Sequence, residues 1–316
     1  MRIIRDLETV PSEYRGGILS IGKFDGVHRG HGSILERLKV CSADRRRPSL
    51  VFTFTPSPAE ILRPHLAPPL LCTTQRKIEL ISQYEPDALI LFPTTREFLK
   101  LTAREFFEKI IVDLLDAHML VEGDSFNFGC NRGGNTEVLR SLCEEYGRLL
   151  RVVPPVHVLG RGVSSSRIRS LIREGQVEVA RGMLGRPYGL SGFVIQGEHR
   201  GRRLGFPTAN LGGVATIVPK PGLYAALARH GDQTWGAAVH LGGNPTFGVA
   251  GMKIEAHLLD FQGDLYGEFL NLEFIARIRD VIPFSDEASL LKQIQKDITN
   301  IRRVLLMNKL EGLYKV

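Results

Sequence analysis

Residues 20–31 read SIGKFDGVHRGH, a glycine-rich stretch that leaves an apolar segment and enters a helical pattern carrying Ile34, Leu35 and Leu38. A strand, a glycine turn and an amphipathic helix together are typical of parallel α/β sheets. Free N–H groups at the start of a helix attract anions, and glycines let the backbone approach a ligand closely. The stretch therefore predicts a phosphate-binding turn in an α/β domain.

The first half of the chain repeats this alternation of apolar runs and amphipathic segments. Strands are predicted at residues 18–21, 50–54, 88–92, 119–121 and 149–153. One helix is predicted to begin at Thr102, where Glu105 completes a capping box, and another to cover residues 136–146. The pattern predicts a doubly wound parallel sheet whose ligands bind beyond the carboxyl ends of the strands.

The second half has a different periodicity. Two short helices separated by Gly175 are followed by GRPYG at residues 185–189, where glycine and proline break the helical pattern. We place the domain boundary there, giving domains 1–185 and 186–316. Short strands are predicted at residues 193–196, 223–228, 235–241, 254–261 and 269–274. They favour a small antiparallel β-barrel, closed by a long helix that begins near Ser285.

Composition narrows the class of protein. The formal net charge of +7 is dispersed, and the short arginine runs are not interleaved with aromatic residues, so we expect no nucleic-acid partner. The four cysteines form no CxxC pair. The first 17 residues carry charges without an apolar centre, and no apolar run approaches membrane-spanning length. We expect a cytoplasmic protein with reduced thiols and no membrane partner; its oligomeric state is left open.

Two histidines three residues apart, His28 and His31, lie at the end of the opening stretch. Both can donate hydrogen bonds to a phosphate chain as charge develops on it. A metal site is an alternative, although no second ligand pair with zinc-like spacing is present, and plain surface residues are another. Their place between a strand and a helix favours the phosphate role.

Two further polar segments are candidates for nucleotide binding. VSSSRIR at residues 163–169 offers serine hydroxyls and arginine forks suited to triphosphate oxygens, or else a simple helix cap. GEHRGRRLGFPTAN at residues 197–210 lacks the ending of a P-loop, but its glycines and arginines can surround phosphates. Thr208 and Asn210 face the same side of an extended chain, as two ligands of one Mg²⁺ would. A glycine-rich hairpin is the plain alternative.

Together these motifs resemble the bacterial riboflavin kinase/FAD synthetase family. The resemblance rests on GKFDGVHRGH and SSSRIR in the first half, and on PTAN, PGLY, GNPTF, IEAHLLD and LYG in the second, and it spans about residues 18–306. It implies a bifunctional enzyme that phosphorylates riboflavin to FMN with ATP. The same enzyme would then join the AMP part of a second ATP to FMN, yielding FAD and pyrophosphate. Riboflavin, FMN and ATP with Mg²⁺ are the expected small-molecule partners.

The resemblance also implies roles for individual residues. His28 and His31 would stabilise the phosphates in the transition state, and Glu255 would take the proton of the ribityl hydroxyl, with Glu268 as second candidate. The implied phosphate-binding residues are Gly22, Phe24, Asp25, Gly30, Ser164, Ser165, Arg167 and Arg169 in the first domain and Gly197, Arg200, Gly201, Arg203 and Gly205 in the second. The implied metal ligands are Thr208 and Asn210, and the implied flavin contacts are Asn127, Phe128, Arg279 and Phe284.

The sequence departs from the family pattern in three places. Residues 55–58 read TPSP where the family commonly has EPHP, and Ser125 stands where Asp or Asn is frequent. Val281 and Ile282 replace an acidic and a basic residue of a segment near the flavin. A narrower hypothesis therefore keeps the riboflavin kinase alone, with a weakened or inactive adenylyltransferase domain. A hypothesis of another class is a flavin or nucleotide sensor without turnover.

Overall fold

The computed structural model describes residues 1–197, 200–244 and 249–310. By its internal contacts the chain divides into two compact units, Met1–Ser165 and Ser166–Val316. Within the described residues, no helix is both long and apolar enough to cross a membrane.

The first unit is built on a six-stranded parallel sheet. Its strands are β1 Arg2–Ile4, β2 Ile18–Ile21, β3 Ser49–Thr55, β4 Ala88–Pro93, β5 Met119–Gly123 and β6 Leu149–Val153, arranged β1-β4-β3-β2-β5-β6. A two-stranded hairpin follows, β7 His157–Val158 with β8 Arg161–Gly162. The predicted doubly wound sheet is confirmed. The three-residue β1, which pairs with β4, was not predicted because it is too short to show a period.

Helices cover both faces of this sheet. They are α1 Arg29–Arg45, α2 Pro58–Leu62, α3 Thr74–Ser82, α4 Ala103–Phe106, which continues as a π-helix over Phe107–Leu114, and α5 Thr136–Glu145. Short 3₁₀ turns lie at Leu7–Thr9, Ser12–Tyr14, Pro64–Leu66, Phe98–Lys100 and Cys130–Arg132. The capping box predicted at Thr102 is present, with both reciprocal hydrogen bonds to Glu105.

Each face of the sheet has its own apolar core. Ile18 packs with α1 and α3 residues such as Leu35 and Ile81, whereas Leu19 packs on the other face with Phe107 and Leu142. Successive strand residues point to opposite faces, so a near-continuous apolar run fills both cores. The burial of both faces leaves the carboxyl edge of the sheet as the place where polar loops can converge.

The second unit begins with two helices and continues as a closed barrel. The helices are α6 Ser165–Arg173, whose first residue belongs to the first unit, and α7 Val177–Leu184. The barrel strands are β9 Tyr188–Ile195, β10 Ala209–Gly212, β11 Gly222–His230, β12 Gln233–Asn244, β13 Val249–Leu258 and β14 Phe269–Arg279, with the short helix α8 Arg200–Arg203 before β10. All neighbouring strands are antiparallel, in the closed order β10-β13-β12-β11-β14-β9. The predicted barrel is confirmed.

The predicted closing helix is α9, Glu287–Leu310. Its Ile301 and Leu305 pack on Leu223, Ala225 and Leu227 of β11, on the outer surface of the barrel. The helix also contacts β12 and β14, so it covers one side of the barrel. Polar residues of β12, β13 and β10 lie on the same outer surface.

Candidate active sites

The first candidate site is the loop of residues 22–28, which joins β2 to α1 at the carboxyl edge of the parallel sheet. Strands β3 and β4 lie on one side of β2, and β5 and β6 on the other. The strand order therefore reverses between β2 and β5. In open α/β sheets, ligands bind in the crevice at such a reversal.

The backbone of this loop is held in an unusual shape. Phe24, Gly26 and Val27 have positive φ angles of 46°, 79° and 36°. The amide of Gly26 donates to Cys72 Sγ at 3.3 Å, and the carboxylate of Asp25 accepts a hydrogen bond from the amide of Leu71 at 3.0 Å. The loop is thus anchored to Leu71 by the Asp25 side chain and to Cys72 by the Gly26 amide.

The two histidines form one stacked unit at the start of α1. His28 is the N-cap, and its Nδ1 accepts a hydrogen bond from the amide of His31 at 3.2 Å. The two rings stack with centroids 3.7 Å apart, and the Phe24 ring meets His31 edge-on at 5.2 Å. Since Nδ1 of His28 accepts, the neutral ring carries its hydrogen on Nε2, which is the atom able to donate to a ligand.

Glycine at position 30 keeps this arrangement possible. A Cβ atom there would lie 3.2 Å from the His28 ring, closer than side chains normally approach. Gly22 has a similar relation to the Phe24 ring, at 3.1 Å. Gly22 and Gly30, which were predicted to let the backbone approach phosphate, therefore also leave room for the rings of Phe24 and His28.

One serine of the second predicted motif meets the loop. The Ser165 hydroxyl donates to the carbonyl of Asp25 at 3.0 Å, and Ser164 precedes it in the turn before α6. Arg167 and Arg169 lie further along α6, in the second unit. Residues two apart do not share a helix face, and Arg169 is buried whereas Arg167 is partly exposed. The structure thus joins the serine part of the motif to the histidine loop.

An aromatic cluster lies at the same edge of the sheet, and most of it was not predicted. Its rings are centred 4.3 to 6.4 Å from their neighbours and belong to Phe52, Phe54, Phe92, Phe98, Phe106, Phe126 and Phe128. Phe54, Phe92, Phe98 and Phe126 are only partly buried. Asn127 is exposed and donates to the carbonyl of Ser125 at 2.8 Å, whereas Phe128 is buried in the core. The phenylalanines at the ends of the predicted strands β3 and β4 were the sequence feature from which this cluster could have been predicted.

The second candidate site surrounds β10. A Cβ atom at Gly197 would lie 2.2 Å from Asn210 Nδ2, and one at Gly201 would lie 3.3 Å from Thr208 Oγ1. Two of the predicted phosphate-binding glycines are therefore directly against the two predicted metal ligands. Gly205 has a φ of +82° in the turn that follows α8.

The remaining residues of this segment are placed only in part. Arg200 and Arg203 are the first and last residues of α8, and Arg203 is exposed. Glu198 and His199 lie outside the described residues, as do residues 245–247 of the GNPTF motif.

A polar row crosses the outer surface of the barrel. Asn210 on β10 is directly opposite Glu255 on β13, and Glu255 is directly opposite His240 on β12. His240 Nδ1 lies 3.7 Å from Glu255 Oε2, and both side chains are about a quarter exposed, at 28% and 27%. Because directly paired residues of antiparallel strands share a face, these three side chains project together. Sequence reasoning missed His240, since pairing between strands is not visible in a single strand's pattern.

Three further polar residues of the barrel, His257, Glu268 and Arg279, have contacts of their own. His257 Nδ1 lies 2.8 Å from the carbonyl oxygen of Pro207 and anchors the segment before Thr208. Glu268, the second candidate base, is exposed and lies 3.7 Å from His230, outside the row. Arg279 donates to Asp297 on α9 through Nε and Nη2, at 3.0 and 2.7 Å.

The flavin contacts predicted for this unit, Arg279 and Phe284, stay predictions. The Arg279 guanidinium is bonded to α9, and Phe284 is partly buried in the segment between β14 and α9. Thr208 and Asn210 carry neutral side-chain oxygens, of the kind that Mg²⁺ accepts when phosphate oxygens complete its shell. Among the residues that the structure describes, no group of three or more His, Cys, Asp or Glu side chains could hold a metal ion.

The fold and the two clusters indicate a transferase with one candidate site in each unit. Comparison with known proteins identifies the family. Residues 10–167 match the FAD synthetase family and residues 184–305 match the riboflavin kinase family. Bifunctional riboflavin kinase/FMN adenylyltransferases are similar over nearly the full chain: that of Pseudomonas fluorescens is 33% identical over 303 residues, covering 96% of this chain and 97% of its own. That of Escherichia coli K12 is 31% identical over 310 residues, covering 98% of each chain.

A solved structure shares the fold over nearly the whole chain. A crystal structure described as a macrolide-efflux protein from Streptococcus pneumoniae has a TM-score of 0.85 and 28% identity, covering 95% of this chain and 98% of its own. The chain belongs to the bifunctional riboflavin kinase/FMN adenylyltransferase family. The predicted enzyme class, with flavins as substrates and products, is confirmed.

Proposed function

We propose that the two activities of the family are divided between the two sites: FMN adenylylation at the loop of residues 22–28, and riboflavin phosphorylation at the row formed by Asn210 and Glu255. The single observation that carries the proposal is the stacked His28–His31 pair at the start of α1, at the reversal point of the parallel sheet. ATP is the proposed nucleotide at both sites. We propose domain limits of 1–185 and 186–316, with the barrel beginning at β9.

At the first site, a phosphate oxygen of FMN attacks the α-phosphorus of ATP, and pyrophosphate leaves. His28 Nε2 and the His31 ring donate hydrogen bonds to the phosphate chain, and the amides at the start of α1 add a positive field. Ser164 contributes to the nucleotide site, and Ser165 holds the loop through the Asp25 carbonyl. The nucleotide-binding roles of Arg167 and Arg169 stay predictions from the sequence motif. No covalent intermediate on the protein is needed, because positioning and charge stabilisation suffice for such a displacement.

The partly exposed phenylalanines supply a place for the flavin of FMN. A flat ring system packs well on Phe54, Phe92 and Phe98, which lie at the carboxyl edge of the same sheet. Thr55 directly follows Phe54 in β3, and neither departure, at Thr55 or at Ser57, removes a ring of the cluster. Asn127 and Phe128 are the polar and apolar ends of the same proposed flavin site.

At the second site, Glu255 accepts the proton of the ribityl hydroxyl of riboflavin as that oxygen attacks the γ-phosphorus of ATP, and ADP leaves as the bond to the β–γ bridging oxygen breaks. Thr208 and Asn210 would hold Mg²⁺, which neutralises the phosphate charge when it is bound with ATP. Gly197, Gly201 and Gly205 keep backbone beside the phosphates, with Arg200 and Arg203 nearby on α8, while Arg279 and Phe284 border the flavin. The direct pairing of Asn210 with Glu255 supports this assignment over Glu268.

The compartment follows from the substrates and the thiols. Among the described residues, Cys41, Cys72, Cys130 and Cys143 form no disulfide, which suits a reducing cytoplasm where ATP is available. Small molecules suffice as partners for both reactions.

The test separates flavins after incubation of the purified chain with riboflavin or FMN, ATP and Mg²⁺. Glu255→Gln is expected to lose FMN formation while still converting supplied FMN to FAD, because the base is lost only in the second unit. His28→Ala is expected to show the opposite pattern. Unchanged FMN production by Glu255→Gln would remove Glu255 as the base, and wild-type enzyme that makes FMN but never FAD would contradict adenylylation by this chain.

A further inference from the structure

Glu122 is a buried carboxyl group at the carboxyl end of β5 that neither proposed reaction uses. Only 1% of the residue is exposed. Its Oε1 accepts a hydrogen bond from the amide of Ile21, the last residue of β2, at 2.7 Å. The residue after Ile21 is the first residue of the histidine loop, so the carboxyl group acts at the root of that loop.

This hydrogen bond replaces one that the sheet does not supply. Pairing between β2 and β5 covers Ile18 with Met119 and Leu19 with Leu120, and stops there. On the opposite side, β2 stays paired with β3 through Ile21, and the amide of Gly22 donates to the Phe52 carbonyl at 3.0 Å. Since successive amides of a strand point to opposite neighbours, the Ile21 amide faces the opening between β2 and β5. Glu122 provides its acceptor there.

The charge state of the carboxyl group suits this position. Burial raises the pKa of Glu122 well above its ordinary value, and the Ile21 hydrogen bond opposes that rise to a smaller extent. Burial therefore favours the protonated acid, whose carbonyl oxygen can accept the Ile21 hydrogen bond without a negative charge beneath the proposed phosphate site. An ionised carboxylate in the same crevice would repel the phosphates that the loop is shaped to bind.

We infer that Glu122 is a positioning residue for adenylyl transfer. Its carboxyl group fixes the peptide between Ile21 and Gly22 at the point where β2 and β5 separate. The loop is then attached on both sides, by Glu122 and by β3, and carries His28 and His31 at a set distance from the sheet. The inference rests on the proposed assignment of this loop as the adenylyl-transfer site. It does not involve the kinase site.

The test compares variants that differ only in the ability to accept the Ile21 hydrogen bond. Glu122→Gln keeps a neutral acceptor of the same length. Glu122→Leu and the less branched Glu122→Met fill the space without an equivalent acceptor. Glu144→Leu, which removes an exposed carboxylate on α5, is the matched control. The measurements are FAD formation from FMN and ATP, FMN formation from riboflavin, and hydrogen exchange of the Ile21 amide.

We expect Glu122→Gln to retain FAD formation within about 3-fold of the parent and to keep the Ile21 amide protected. Glu122→Leu and Glu122→Met should lose at least about 10-fold in kcat/KM for FAD formation, since a buried amide is left without its acceptor. Exchange of the Ile21 amide should accelerate in the same two variants. FMN formation should stay within about 2-fold in all four proteins, because the barrel is untouched.

Equal loss in the Gln and Met variants would overturn the inference, because the acceptor would then not be what matters. FAD formation at the parent rate by Glu122→Met would overturn it as well. If Glu122→Leu does not fold, Glu122→Met is read in its place. His28→Ala is measured in parallel. If that variant still makes FAD, the assignment of the site fails. If His28→Ala loses FAD formation and Glu122→Met does not, only the role of Glu122 is contradicted.

Discussion

At the scale of single residues, burial of Glu122 also determines how the first unit responds to pH. The folded-state pKa is raised above the ordinary value of 4.5 by burial, so folding favours the protonated form. Stability from such a group is fully present below the unfolded-state pKa and is lost as pH rises toward the folded-state pKa. The thiol of Cys143 on α5 is near this carboxyl group. Burial raises the pKa of that thiol to about 12, so it stays neutral at pH 5 to 9.

We therefore predict that Glu122→Gln is stabilised relative to the parent increasingly as pH rises. The amide cannot ionise, so it avoids the cost of a buried charge. Thermal unfolding followed by circular dichroism at pH 5, 7 and 9 would show a Tm difference that grows with pH. Parallel Tm curves for the two proteins would show that ionisation of Glu122 does not affect stability.

A second residue-scale prediction concerns Gly197, which lies against Asn210. A methyl group at position 197 would come within 2.2 Å of the Asn210 amide nitrogen and displace the proposed metal ligand. Gly197→Ala should lower kcat/KM for riboflavin phosphorylation by about 10-fold or more, with FAD formation from FMN unchanged. Gly189→Ala is the control, because its methyl group would meet only an ordinary contact of 3.4 Å to the Leu272 carbonyl. Equal rates in the two variants would contradict the placement of Asn210.

At the scale of elements, Gly129 fixes the turn after β5 against the start of α4. It has a φ of +72°, and a Cβ atom there would lie 2.5 Å from the backbone nitrogen of Ala103. The amide of the next residue, Cys130, donates to the Leu101 carbonyl at 2.7 Å. The turn that carries Phe126 and Phe128 into the aromatic cluster thus depends on a close approach between two backbones.

Gly129→Ala should destabilise the first unit far more than Gly147→Ala. Both glycines have positive φ, so each substitution costs about 1 kcal/mol for the strained backbone. A Cβ atom at Gly147 has nothing within 4 Å, whereas the contact at Gly129 with rigid backbone adds about 1–3 kcal/mol. Urea unfolding of both variants measures the difference. Equal free energies of unfolding would mean that the turn moves away from α4 without cost.

The same scale shows what the sequence could predict. Strands β2 and β6 were predicted at their observed limits, because their apolar runs are bounded by glycine, proline or charge. The histidine loop was predicted because strand, loop and helix are adjacent in the chain. The aromatic cluster and the row containing His240 depend on which strands become neighbours and in which register. That information lies in long-range packing, so a pattern read along one strand does not contain it.

At the scale of the whole molecule, each compact unit contains one complete set of proposed reacting groups. The histidine pair lies in Met1–Ser165, and Asn210 and Glu255 lie in Ser166–Val316. The product of the second unit, FMN, is the substrate of the first. The order of the reactions in the pathway is therefore the reverse of the order of the units in the chain, and FMN has to travel between two sites.

We predict that FMN can pass between molecules through solution. A mixture of Glu255→Gln and His28→Ala chains should form FAD from riboflavin, although neither variant alone completes both steps, because each keeps one intact unit. The FAD rate should rise with the concentration of the Glu255→Gln chain, since that chain captures released FMN by an ordinary bimolecular encounter. An FMN-binding apoprotein can be added as a trap for released FMN. Stronger suppression of FAD formation in the mixture than in the parent would show that the parent retains part of its FMN. Absence of FAD in the mixture, with both single activities intact, would show instead that FMN is passed only within one molecule.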